Sequence, residues 1–283
     1  MKHKNKIHGA SLGRTLAYFW LTLLAVLAAF PLYWMVVSAF KSPGELSSGS
    51  IRLLPKQPTL HYYSRVFNEF GFHRNLLNSL AVALSATLIA IAIASLAAYG
   101  IVRYFDRTRK GKAMTRVLIL TYMFPTILLA IPYSVIIGSL GLSNTKLGLV
   151  LTYLSFSTPF AVWMLIGFFR TVPREVEEAA MVDGASHFRV FYNIALPIAA
   201  PGVVATAIYT FINAWNEFLF ALILTNSTQK MTVSVALYSI AGGEILDWGD
   251  MMASSVLVIV PSVIFFLLIQ KKIAGGLAQG SIK

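Results

Sequence analysis

The sequence contains no cysteine, which removes disulfides, thiolate metal sites and cysteine nucleophiles together. Charge is scarce as well. Asp, Glu, Lys and Arg make up 12% of the 283 residues, about half the share usual in soluble domains. Acids are the rarer sign, with 11 Asp and Glu against 23 Lys and Arg, for a net charge of +12. In a chain that is 57% hydrophobic, this excess fits basic loops lying on anionic lipid headgroups rather than a nucleic-acid interface.

Catalytic constellations are missing too. Gly9-Ala10-Ser11-Leu12-Gly13 has the spacing of a serine-hydrolase elbow, but it lies in a basic tail and lacks the strand and helix that the elbow requires. The five histidines, His3, His8, His61, His73 and His187, fall in tails or loops, so none is placed to activate an intramembrane serine. An intramembrane aspartyl protease needs two acids at depth, and Glu217 stands alone. Gly111-Lys112 is followed by Ala113 and has Asp106 where a phosphate loop needs glycine. The chain is read as non-catalytic, with no cofactor or metal of its own; any ATP it uses is hydrolysed elsewhere.

What the sequence does have is long apolar runs. Residues 15–40, 75–102, 117–145, 147–169 and 251–270 carry no charge, and 190–229 carry one, Glu217. A membrane helix needs about 20 such residues, and unpaired backbone in hydrocarbon is too costly for open strands or loops. The fold class is therefore an all-α integral membrane protein of six transmembrane helices, a single transmembrane domain over 15–270. Spans are expected near 15–40, 76–102, 117–139, 147–169, 202–225 and 251–270, with tails at 1–14 and 271–283. Pro197 and Pro201 are read as breaking the fifth run, so that its span begins near Gly202; Pro125 and Pro132 are read as kinking the third. Six spans put both termini on one side. That side holds 16 of the 23 Lys and Arg, so both termini are expected in the cytoplasm.

The loop over 170–197 reads as two short helices. Pro173 suits a first helical turn, and Glu175, Glu177 and Glu178 suit the positive end of a helix. Gly184 supplies a left-handed stop after Asp183, and Ser186 caps a second helix running to Pro197. Within it, Glu178-Ala179-Ala180, Gly184, Ile194 and Leu196-Pro197 fall at the spacing of a known signature. They resemble the EAA motif of ABC importer permeases, and Asp183-Gly184-Ala185-Ser186 resembles its carbohydrate-uptake branch. Asn75-Leu-Leu-Asn-Ser79, Ala97-Ala-Tyr-Gly100, Ala214-Trp-Asn-Glu-Phe218 and the tail 275–283 agree with that branch. The chain is similar to the smaller of the two permeases of maltose-type transporters.

The resemblance implies a type I importer permease in a bacterial inner membrane, with a cytoplasmic coupling helix in the 170–197 loop. The implied ATPase-coupling residues are Glu178, Ala179, Ala180, Asp183, Gly184, Ile194, Leu196 and Pro197. It also implies a second, homologous permease, two ABC ATPase subunits using ATP-Mg, and an extracytoplasmic sugar-binding protein. Asn213, Trp215, Asn216 and Glu217 could line a translocation pathway for sugar, or could hold two helices together. Helical spacing prevents all four from facing one cavity. Gly242, Gly243, Glu244, Asp247 and Asp250 form an outer loop read either as solvated or as facing a binding protein. A stand-alone carrier would show more polar positions within its spans and inverted repeats. Polyol or glycerol-phosphate importers share the same motifs, but a phosphorylated cargo favours Arg or Lys near the pathway, and no span contains either.

Overall fold

The computed structural model describes residues 4–49, 51–242 and 247–280, and side chains within 13–267 of these. Every regular element among the described residues is helical. Five helices are long and apolar enough to cross a membrane: 13–39, 72–105, 146–169, 187–216 and 248–267. A sixth crossing is available if a bent pair, 109–123 with 126–139, is one span. The chain divides into two compact units, 1–70 with 240–257 and 71–239 with 258–283.

The first unit contains α1 (Lys4–Ala39), α2 (Pro43–Ser47), α3 (His61–Asn68) and the start of α13 (Trp248–Gly280). Much of α1 leaves large apolar side chains such as Phe19 and Leu21 exposed, a face with little to pack on inside its own chain. At its end, Lys41 is buried. The ammonium donates to the Arg52 carbonyl at 2.8 Å and lies 4.1 Å from the Trp34 ring centre, so a carbonyl and a π-face share the charge. The outer loop is tied down as well. Arg65 of α3 pairs with Asp247 at 2.7 Å and with Asp250 at 3.1 Å, and Asp250 is 1% exposed. This corrects the reading of that loop as simply solvated, since these two carboxylates fasten α3 to the start of α13. Gly243 and Glu244 lie outside the described residues. A Cβ at Gly249 would overlap the buried Tyr62 ring. Burial, then Asp247 and Asp250, push the Tyr62 phenol up to about 12, so it stays neutral.

The second unit is built on α4 (Phe72–Gly100) against α7 (Lys146–Phe169) and α10 (Leu196–Asn216). Ala83, Ala86, Ala90, Ala94 and Ala98 recur every three or four residues on α4, all fully buried. A stripe without side-chain bulk lets helix backbones approach closely, which is how helices associate where lipid is as apolar as leucine. At the start of α4, Asn75 donates to the carbonyls of Thr228 and Met231, each at 3.0 Å, and Asn78 donates to Gln229 at 2.8 Å. Ser79 accepts from the Val233 amide at 2.8 Å. Three polar side chains on one helix face thus clasp the segment leading into α12 (Val233–Ala241).

Two helices begin alike. In α5 (Arg109–Met123) and α7 the cap is threonine: Thr108 accepts from the Gly111 amide, and Thr145 from the Gly148 amide. Each hydroxyl also donates back to the carbonyl three residues earlier, Phe105 or Leu142. The same two carbonyls sit where a Cβ on Gly111 or Gly148 would have to be, so neither position has room for any other residue. Gly148→Ala is expected to lower stability by about 1–3 kcal/mol, the usual cost of overpacking. Gly167→Ala, in the same helix with open space around its Cβ, should be neutral or slightly stabilising. Thermal melts in detergent that failed to separate the two would contradict this reading of the cap.

Proline marks a break in one run and not in another. The third run bends sharply. After α5 the chain turns at Phe124 and Pro125 through 85° before the tight turn Thr126–Leu129 and α6 (Ala130–Ser139), because Pro125 has no amide to continue the α5 ladder. In the fifth run the expected break at Pro197 and Pro201 is absent. Helix α9 (His187–Val190) passes through a widened π-turn, Phe191–Ala195, straight into α10. Pro197 follows directly on that widened turn, and Pro201 sits inside α10 without ending it. The break comes at Glu217 and Phe218, ahead of α11 (Leu219–Leu224).

Candidate functional site

Two places gather the residues singled out above. The first is α8 (Arg174–Val182) with α9. Pro173 stands just before the first turn, Gly184 takes φ +86° and ends the helix, and the Ser186 hydroxyl accepts from the Arg189 amide at 3.4 Å. The Ala185 amide closes back on the Ala180 carbonyl at 2.9 Å. A helix of nine residues fixed at both ends is a rigid unit. Its outer face presents Glu178, Ala179, Val182 and Asp183 to solvent. Val182 is 87% exposed, and Phe188 and Tyr192 are 70% and 61% exposed. Three large apolar groups around a few carboxylates make a surface suited to another protein. Ile194, Leu196 and Pro197 lie in the π-turn and in the first turn of α10, where they continue the loop into the bundle.

The inner face of α8 holds what the sequence did not reveal. Glu177, read there as complementing the helix end, is 3% exposed. Its carboxylate accepts from Arg103 Nε at 2.6 Å and Nη2 at 2.5 Å, and from the Tyr99 hydroxyl at 3.2 Å. Arg103 lies in a second π-turn, Ile101–Phe105, that ends α4, and it also donates to the Val172 carbonyl at 3.1 Å. Arg174 returns the contact, donating to the Val102 carbonyl at 3.1 Å. The only sequence signal was an excess of acids in a loop.

The second place is a cavity of about 570 Å³ at the bend between α5 and α6, closed by α7 and α10. Asn213, Asn216 and Glu217 line it, with Tyr122, Pro125, Tyr133 and Phe156. Asn213 and Asn216 are exposed and three residues apart, so they share one helix face. Trp215 is corrected: it is 1% exposed, stacks on Phe211 and donates its indole N–H to the Val258 carbonyl at 3.2 Å. It is a packing residue with no part in the cavity. Glu217 lines the cavity but spends its charge on the helix break. It accepts from the amides of Phe220 at 2.8 Å and Ala221 at 3.0 Å, and from the Tyr153 hydroxyl at 2.7 Å. It therefore caps α11 and holds it to α7 within one chain. At the edge of the cavity, the Tyr122 and Tyr209 hydroxyls meet at 2.9 Å over Phe160. No cluster of three or more His, Asp or Glu able to hold a metal occurs among the described residues.

Residues 90–278 match the family model for the inner membrane component of binding-protein-dependent transport systems. The chain is 40% identical over 230 residues to the putative ABC transporter permease protein ORF1 of Streptomyces antibioticus, covering 81% of this chain and 100% of that one. It is 38% identical over 267 residues to the trehalose/maltose transport system permease protein MalG of Thermococcus litoralis, covering 92% and 94%. A chain from a bacterial ABC transporter that imports the acidic polysaccharide alginate superposes with TM-score 0.79 at 19% identity, covering 96% and 98%. That last likeness is one of fold.

Proposed function

Since the chain belongs to the inner membrane components of binding-protein-dependent transport systems, a family of non-catalytic permease subunits, we propose that it forms half of the translocation pathway of an ATP-driven sugar importer. The observation that carries the reading is the exposed outer face of α8 and α9, bearing Glu178, Ala179, Asp183, Val182 and Phe188 on a capped, rigid helix. Its occupant is one of two ATPase subunits, which bind and hydrolyse ATP-Mg. A second permease of the same family supplies the other half of the pathway, and the exposed apolar side of α1 offers it a surface. An extracytoplasmic binding protein delivers the sugar. Both termini lie in the cytoplasm, on the side carrying most of the Lys and Arg.

The cargo is a neutral saccharide. The cavity offers the Asn213 and Asn216 amides beside the Tyr122, Tyr133 and Phe156 rings, and no Lys or Arg lines it among the described residues. Amides and hydroxyls recognise sugar hydroxyls, and ring faces take sugar C–H surfaces, whereas a phosphate calls for guanidinium or ammonium groups. Relatives named for trehalose and maltose agree with that chemistry.

The test is to tag the chain, extract it gently from its own membrane and identify what accompanies it by mass spectrometry. A second permease and an ATPase are expected, and liposomes holding that complex should take up labelled trehalose or maltose only with ATP and binding protein. Recovery of the chain alone, even after cross-linking, would return the reading to a stand-alone carrier.

A further inference from the structure

We propose that Arg103 and Glu177 are a transmission link, positioning residues that make α8 and the end of α4 move as one body. The inference rests on the reading of α8 as the ATPase-docking helix. Glu177 is the one buried residue of α8, with Ala180 and Met181 half-buried, so the apolar grip of α8 on the bundle beneath it is small. The grip is polar instead: a two-pronged guanidinium–carboxylate pair, side chains 9% and 4% exposed, with the Tyr99 hydroxyl on the same carboxylate. A buried ion pair is weak evidence for added stability, since well-packed apolar groups often do as well. What the pair supplies is direction, because a planar fork met at both oxygens resists sliding and rotation as an apolar contact does not.

The connections around it run both ways. Arg103 holds the Val172 carbonyl just before α8, and Arg174 of α8 holds the Val102 carbonyl beside Arg103. Tyr99 lies edge-on to Phe169 at the end of α7, and 5.1 Å from Phe191 in the π-turn that opens the way to α10. The load on α8 therefore reaches the ends of three long helices through one residue. The two neighbouring acids divide the work: Glu178 of the signature faces outward, while Glu177 faces inward to α4.

The test uses the complete transporter in liposomes, comparing Glu177→Gln, Arg103→Gln and the exchange Arg103→Glu/Glu177→Arg with the unaltered chain. Three quantities are read: ATPase recovered with the chain, ATP hydrolysed, and sugar moved per ATP. The single variants should keep the ATPase and its basal hydrolysis while sugar moved per ATP falls about tenfold, within the usual range for coupling between sites. The exchange should restore part of that ratio. A second measurement uses the natural absence of cysteine. Arg103→Cys/Glu177→Cys, joined by a reducible bifunctional methanethiosulfonate, should regain the ratio on joining and lose it on reduction. If variants lose assembly and hydrolysis together, or the ratio stays at its normal value with the pair broken or joined, the pair only holds the fold and the proposal is overturned. If the unaltered chain recovers no ATPase, it is the docking reading that fails.

Discussion

Replacing Glu217 by alanine is expected to cost about 3 kcal/mol of stability and to abolish transport whatever sugar is offered. The carboxylate meets two amides at the start of α11 and one hydroxyl from α7. Hydrogen bonds to a charged group contribute about 1.5–3 kcal/mol each in favourable cases, and partners left unmet away from water cost their full desolvation. Alanine strands three donors at once and frees the segment after the break. Glutamine keeps an oxygen in place, loses the charge assistance, and should cost nearer 1 kcal/mol. Melting curves in detergent, paired with uptake in liposomes, separate this from a direct role in binding. An alanine variant that melts like the unaltered chain yet transports nothing would make Glu217 a substrate ligand, contrary to its contacts.

Val182→Asp should act in the opposite manner. The side chain is 87% exposed, so the fold loses nothing and the melting curve should not move. On the proposed docking face an added carboxylate would sit beside Glu178 and Asp183 at an apolar contact. A central contact residue of this kind costs about 2 kcal/mol or more, which is about 30-fold in affinity. Recovery of ATPase and ATP-driven uptake should both fall by that order. Undiminished recovery would move the docking surface off α8.

The two substitutions mark what a reader of the sequence could and could not see. The α8–α9 loop was legible because its determinants are local. Gly184 stops a helix by its own backbone freedom, and Ser186 reaches an amide three residues on. The run lengths of the spans were legible for the same reason. Glu177 was not, because its partner is 74 residues away, and nothing in the loop distinguishes its carboxylate from those of Glu175 and Glu178. Asn75, Asn78 and Ser79 were quoted as a pattern, but their clasp on residues 228–233 joins positions more than 150 apart. Prolines misled in one run and informed in another. Pro197 and Pro201 sit in a helix that runs on past them, whereas Pro125 follows an extended Phe124 and marks a true turn. The break at Glu217 carries no proline or glycine; a side chain that satisfies two amides is enough to start a new helix there.

The two π-turns, Ile101–Phe105 and Phe191–Ala195, carry a consequence for how such a chain tolerates change in length. Each is an α-helix with one residue more than its ladder needs. Removing a residue from the first would restore regular winding and leave everything beyond it in register with the alanine stripe of α4. The change would fall on Arg103, the middle residue of that turn, whose bearing towards Glu177 the widened winding sets. A change of length that the bundle can absorb thus acts on the aim of a single guanidinium.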